Sequence, residues 1–124
     1  MRVIKEIEIE GKKVNAIFDT RANFSYVNSS IIPSASRRPV ARPYKIGLGG
    51  EEIEVKEECL FHGKIEGLEF SGKAIPIEKN WKIDGKEVSA IIGALIMEEW
   101  EITINSKTGE LGLEKLRTRE FTEL

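Results

Sequence analysis

From Lys5 onward the chain alternates charged and apolar positions, as Lys5-Glu6-Ile7-Glu8-Ile9-Glu10. A period of two with β-branched residues on one face predicts a half-buried strand over Val3 to Glu10. Gly11-Lys12 reads as a turn and Lys13 to Phe18 as the returning strand, so the two predict a hairpin. The apolar run Ala16-Ile17-Phe18 stops abruptly at Asp19-Thr20, and short extended pieces are expected at Tyr26-Val27 and Ile31-Ile32. Three of the four prolines fall between Pro33 and Pro43, which reads as an exposed loop. Strand patterns follow over Tyr44 to Ile46 and Ile53 to Leu60, with Gly47-Leu48-Gly49-Gly50 as a mobile hairpin tip between them. Lys64 to Phe70 and Lys73 to Ile77 continue the β pattern, with a turn expected at Gly72. Asp84-Gly85 is a hairpin turn signal, and Glu87 to Ile92 is a strand ending at Gly93. Ala94 to Trp100 is the one convincing helical stretch, and Glu101 to Asn105 with Glu110 to Leu113 predicts a closing hairpin. Many short strands, glycine turns and one short helix near residues 94–100 predict an all-β domain, a compact barrel or sandwich. That domain spans residues 1–113, and 114–124 form a tail, helical or frayed.

The chain has 124 residues, enough for one domain. A net charge of −2, with acids and bases interspersed, leaves no electrostatic footprint for nucleic acid or a membrane surface. Cys59 is the single cysteine, so no disulfide framework is possible within the chain, and a reducing, cytoplasmic compartment is expected. The N-terminus MRVIKEIEIEG does not read as a secretory signal, and no apolar segment is long enough to cross a bilayer. Aspartate is confined to Asp19 and Asp84, glutamine is absent and Lys, Glu and Ile are abundant, a usage like that of thermophile proteins.

Several chemistries drop out. His62 is the only histidine, expected at the surface in a turn beside Gly63, so neither a structural zinc site within the chain nor a Ser-His-Asp arrangement is supported. No helix is expected after Gly47-Leu48-Gly49-Gly50, so it is not a dinucleotide loop. Cys59 lies on an alternating strand and reads as packing. No metal and no cofactor is implied. Arg37, Arg38 and Arg42 could grip an anion or an acidic peptide, but a solvated basic loop is the simpler reading. Glu51 and Glu52 are expected in solvent, where they disfavour acidic substrates, and Trp81 and Trp100 are expected as core or interface aromatics.

The carboxylate remains. Two carboxylates held close cannot both ionise easily, so they share a proton. One then acts as base on a water while the other acts as acid toward a carbonyl oxygen. Asp84 is explained by its turn. A symmetric dimer would supply two copies of Asp19 on its two-fold axis.

Ile17-Phe18-Asp19-Thr20-Arg21-Ala22-Asn23-Phe24-Ser25-Tyr26-Val27 resembles the active-site loop of the retropepsin-like aspartic peptidases, departing from it only at Arg21, where the family has glycine. Ile46-Gly47-Leu48-Gly49-Gly50 resembles the family's glycine-rich flap, and Ala90-Ile91-Ile92-Gly93-Ala94-Leu95-Ile96 resembles the segment entering its helix. The resemblance covers roughly residues 3 to 113. It implies a small closed acid-protease-like barrel and a homodimer with catalytic Asp19 and Thr20 from each chain, Thr20 bracing the two loops across the dimer. It also implies a peptide or unfolded-protein substrate, held by Arg21, Ala22, Phe24, Ile46, Gly47, Leu48, Gly49 and Gly50. Arginine at 21 is expected either to intrude into the cleft or to point away with backbone strain, and a guanidinium near Asp19 opposes the shared proton. Three readings stay open: an active dimeric aspartic endopeptidase, an inactive homologue serving as a peptide-binding or dimerisation module, and an unrelated β domain in which Asp19 caps a loop.

Overall fold

The computed structural model describes residues 1–119. It is mostly β. Strands β1 (Arg2–Ile9) and β2 (Lys12–Asp19) form the first hairpin, paired in register from Arg2↔Asp19 to Ile9↔Lys12. Then come β3 (Tyr26–Asn28), β4 (Arg37–Leu48), β5 (Glu51–Ile65) and β6 (Leu68–Ile77). A small hairpin, β7 (Trp81–Ile83) and β8 (Lys86–Val88), precedes β9 (Ala90–Ile92) and helix α1 (Ala94–Glu99). The last elements are the β10 (Thr103–Ile104) and β11 (Leu111–Gly112) pair and helix α2 (Glu114–Thr118).

The main sheet has the order β1-β2-β9-β3-β6-β5-β4, and β1 also pairs with β5 at Glu8↔Lys64 and Ile9↔Gly63. The pairings therefore return from β5 to β1, with β4 as an outer edge. β9 lies between β2, to which it is parallel, and β3, to which it is antiparallel. Neighbouring residues on these strands point to opposite faces. Ala16, Phe18, Val27, Ala90 and Ile92 enter one apolar cluster with Phe61 and Phe70. Ile17, Tyr26 and Ile91 enter a second one with Val55, Ile75 and Val88. Phe61 is fully buried and meets Phe70 edge to face, with ring centroids 5.8 Å apart.

The hairpins turn on residue pairs with positive φ: Glu10-Gly11, Gly49-Gly50, Glu66-Gly67 and Asp84-Gly85. Asp84-Gly85 is the expected turn, while the first turn sits one residue earlier than expected.

Three expectations are corrected. Within the expected loop, residues 37–43 instead belong to β4, joined to the expected strand from Tyr44; Pro39 and Pro43 are accommodated because β4 is an edge strand with irregular register between Pro39 and Tyr44. Gly72 lies inside β6, and a Cβ there would stand 2.8 Å from Ile96 Cγ1, so its glycine makes room for α1. His62 is within β5, exposed, rather than in a turn. The tail is helical at Glu114–Thr118, giving a second short helix; its residues 120–124 lie outside the described ones. Among the described residues no helix is long and apolar enough to cross a membrane.

Phe61→Ala removes the centre of the first cluster. We expect a loss of about 3–5 kcal/mol in stability, read as a lower urea midpoint with an unchanged slope.

Candidate functional site

Asp19 is the last residue of β2, half-buried, with Arg2 opposite it on β1. Its Oδ1 accepts the Arg21 N–H at 2.9 Å, and its carbonyl accepts the Ala22 N–H at 3.3 Å. The loop from 20 to 25 then crosses to β3 beside α1.

The loop and the helix start satisfy each other. The first N–H groups of a helix have no partner within it. Ala94 N–H donates to the Ala22 carbonyl at 2.6 Å and Leu95 N–H to the Asn23 carbonyl at 3.2 Å. Just before them, Gly93 N–H donates to Ser25 Oγ at 2.9 Å. Ser25 is 3 % exposed, the one buried polar side chain among the described residues. Its carbonyl also accepts Ile75 N–H at 2.9 Å, tying the loop to β6. A Cβ on Gly93 would collide with the Phe24 carbonyl oxygen and lie 2.7 Å from that of Ala22. Glycine at 93 is therefore a requirement of close backbone approach. Neither Ser25 nor Gly93 stood among the candidate site residues, although both lie within the segments that resemble the family.

Arg21 is exposed, and its φ is not positive, so the position carries no strain that glycine would relieve. This corrects the expectation of a strained arginine. Among the described residues no ion pair joins its guanidinium to Asp19 or to any other carboxylate. Thr20 has its N–H on the Met1 carbonyl at 3.1 Å and its hydroxyl on the same oxygen at 3.2 Å, while the Met1 amine stands 3.3 Å from Thr20 Oγ1.

The glycine-tipped hairpin lies over the same face of the sheet. Ala22 of the loop and Ile46, Leu48 and Ile53 of the hairpin all pack against the second cluster, around Ile17, Tyr26 and Ile91. Phe24 goes elsewhere: with Tyr44 and Leu95 it lines a separate cavity of about 240 Å³ between the sheet and α1. The candidate residues thus divide. Ala22, Ile46 and Leu48 meet at one cluster beside Asp19, while Gly49 and Gly50 stand clear at the tip with nothing near their Cβ positions.

No known protein-family profile matches this chain, and neither does any curated protein.

The remaining candidates have in-chain roles. Arg37, half-buried, donates from Nη2 to the Ser29 carbonyl at 2.6 Å and the Ile32 carbonyl at 3.1 Å, while Arg38 and Arg42 are exposed, as expected of solvated basic residues, Arg38 pairing with Glu58 at 3.0 Å. Cys59 is packing, as expected: burial pushes its thiol up to about 11. Trp81 packs on the second cluster and Trp100 on the first, its Nε1–H donating to the Ser71 carbonyl at 2.7 Å.

Ser25→Ala leaves the Gly93 N–H buried without an acceptor, and we expect a loss of about 1–3 kcal/mol. Gly93→Ala is expected to lose a similar or larger amount, about 1–3 kcal/mol from overpacking against backbone that cannot rotate away. Urea denaturation of both variants checks this, and Ser25→Thr, which keeps the hydroxyl, is expected to retain more stability than Ser25→Ala.

Proposed function

We propose that the chain is a retropepsin-like domain that acts as a dimeric aspartic endopeptidase on peptides or unfolded protein. The observation that carries this is the placement of Asp19. It ends a strand whose neighbour, β9, runs into Gly93 and α1, and its loop shares an apolar face with a glycine-tipped hairpin. In that reading the main sheet is the acid-protease barrel and the β4–β5 hairpin is the flap over an extended substrate. Two Asp19 carboxylates, one from each chain, share a proton. One takes a proton from water, and the other protonates the carbonyl oxygen of the scissile bond. Arg21, exposed and without an ion pair to Asp19, is compatible with that shared proton.

A second reading is favoured by Thr20. Both of its donors already serve the Met1 carbonyl, so a cross-dimer brace requires their release. In that reading the chain is an inactive homologue that binds peptides, while a chain that stays monomeric also fits an unrelated β domain in which Asp19 caps a loop.

Incubation with an unfolded protein from acid to neutral pH separates the two. We expect wild-type cleavage and a loss of about 10²–10⁴-fold in kcat/KM for Asp19→Asn. Arg21→Gly is expected to cleave at a rate close to wild type. Cleavage by Arg21→Gly alone would establish the inactive reading, and sedimentation of a single chain at all concentrations would remove the dimer.

A further inference from the structure

The β4–β5 hairpin reaches the rest of the chain beyond its base through two kinds of contact. One is apolar: Ile46, Leu48 and Ile53 rest on the second cluster. The other is polar: nearer the base Glu58 meets Lys73 of β6 at 3.6 Å, and at the tip, among the described residues, the one tie to the rest of the chain is Lys79 Nζ to Glu51 Oε2 at 2.7 Å. Other charges near the tip pair within the hairpin, Lys45 with Glu52 at 3.5 Å and Lys56 with Glu54 at 3.4 Å.

The tie is placed where it has most leverage. Glu51 follows the Gly49-Gly50 turn and stands opposite Leu48, at the far end of the hairpin. Gly49 and Gly50 have φ of +59° and +83° with open space around them, so the turn itself holds nothing down. Lys79, by contrast, stands on a braced segment. The adjacent Asn80 accepts from Asn28 Nδ2 at 2.7 Å and donates to Glu87 Oε1.

We propose that Glu51 and Lys79 form a latch that holds the hairpin down over the Asp19 loop and releases it to admit a substrate. As a regulator of access to Asp19, the latch rests on the reading of that loop as the functional site. The hydrogen bond from Lys79, and then its charge, hold the Glu51 carboxyl below the usual carboxylate range, as a formed pair requires. The partners' side chains are 63 % and 34 % exposed, so the pair is weak and screened by salt. A weak tie suits a lid that opens at every binding event.

Leu48→Cys, on the half-buried inner face of the hairpin, gives a reporter of opening by its rate of labelling with a thiol reagent. Cys59, 2 % exposed and with its thiol pushed up to about 11, does not compete. We expect Glu51→Gln or Lys79→Met to speed labelling roughly two- to fivefold, the range an exposed ion pair supplies. The exchanged pair, Glu51→Lys with Lys79→Glu, is expected to return the rate toward that of the parent. Raising NaCl from about 0.05 M to about 1 M should speed the parent and leave the single variants unchanged. Equal rates in parent and single variants would overturn the latch. Labelling is read without any turnover, and cleavage is assayed on the chain that keeps Leu48, so a changed labelling rate with no cleavage by that chain upholds the latch and removes the peptidase reading. Cleavage with unchanged labelling does the reverse.

Discussion

The loop that carries Asp19 keeps its path because residue 93 has no side chain. The helix that follows begins with N–H groups lacking partners, and the loop beside it carries carbonyls that need donors. Each shortage is met by the other: Ala22 and Asn23 accept from Ala94 and Leu95, and Ser25 accepts from Gly93. The two backbones can approach that far only if no Cβ stands between them, and at Gly93 one would strike two carbonyl oxygens. The same helix puts Ile96 against Gly72 and Met97 into the first cluster. A change in the core beneath α1 is therefore passed to the loop through the hydrogen bonds of Gly93, Ala94 and Leu95.

What the sequence made legible was local. Runs such as Ala16-Ile17-Phe18 and Ala90-Ile91-Ile92 are strands because both faces are buried, and the two faces feed different clusters. The Asp84-Gly85 turn follows from backbone preference alone, and both residues have positive φ. The illegible parts depended on tertiary context. Proline spoke for a loop between Pro33 and Pro43, but an edge strand has no partner that needs the missing N–H. Gly72 signalled a turn, and glycine signals close packing just as well; only the position of α1 decides between them. For Ser25 the residue type was visible and its burial was not. The parallel pairing of β2 with β9, and the tie from Glu51 to Lys79, join segments far apart in sequence, and no periodicity marks such a pair.

Arg21 and Thr20 bear on the proposed site in opposite ways. The Asp19 carboxylate is held by the backbone N–H of residue 21, which every residue type but proline supplies. Arginine is therefore no obstacle to the loop's geometry. Its electrostatic effect depends on where the guanidinium lies: at 4 Å, a unit charge acts with about 1 kcal/mol through water and several times that near a protein surface. An exposed guanidinium without an ion pair to Asp19 belongs to the weak limit.

Thr20 is the reverse case, because its hydroxyl is specific to the residue and already engaged by Met1. Exchanging the Met1 carbonyl for an acceptor on a second chain would trade one hydrogen bond for another, with little net gain. The free energy for association would then have to come from apolar surface. A shallow depression of about 540 Å³ beside Thr20, lined by Ala94, Met97, Ile102 and Ile104, is the surface adjoining that contact. Whether two chains pair through Thr20 is thus decided by how much of this surface, together with the exposed Met1, which hydrogen-bonds Thr20, and the exposed Leu95, which follows Ala94, a second copy can cover. A stable interface buries about 1,200–2,000 Å² in total, far more than one depression offers. Thr20 would set the register of such a pair and would not be the source of its affinity.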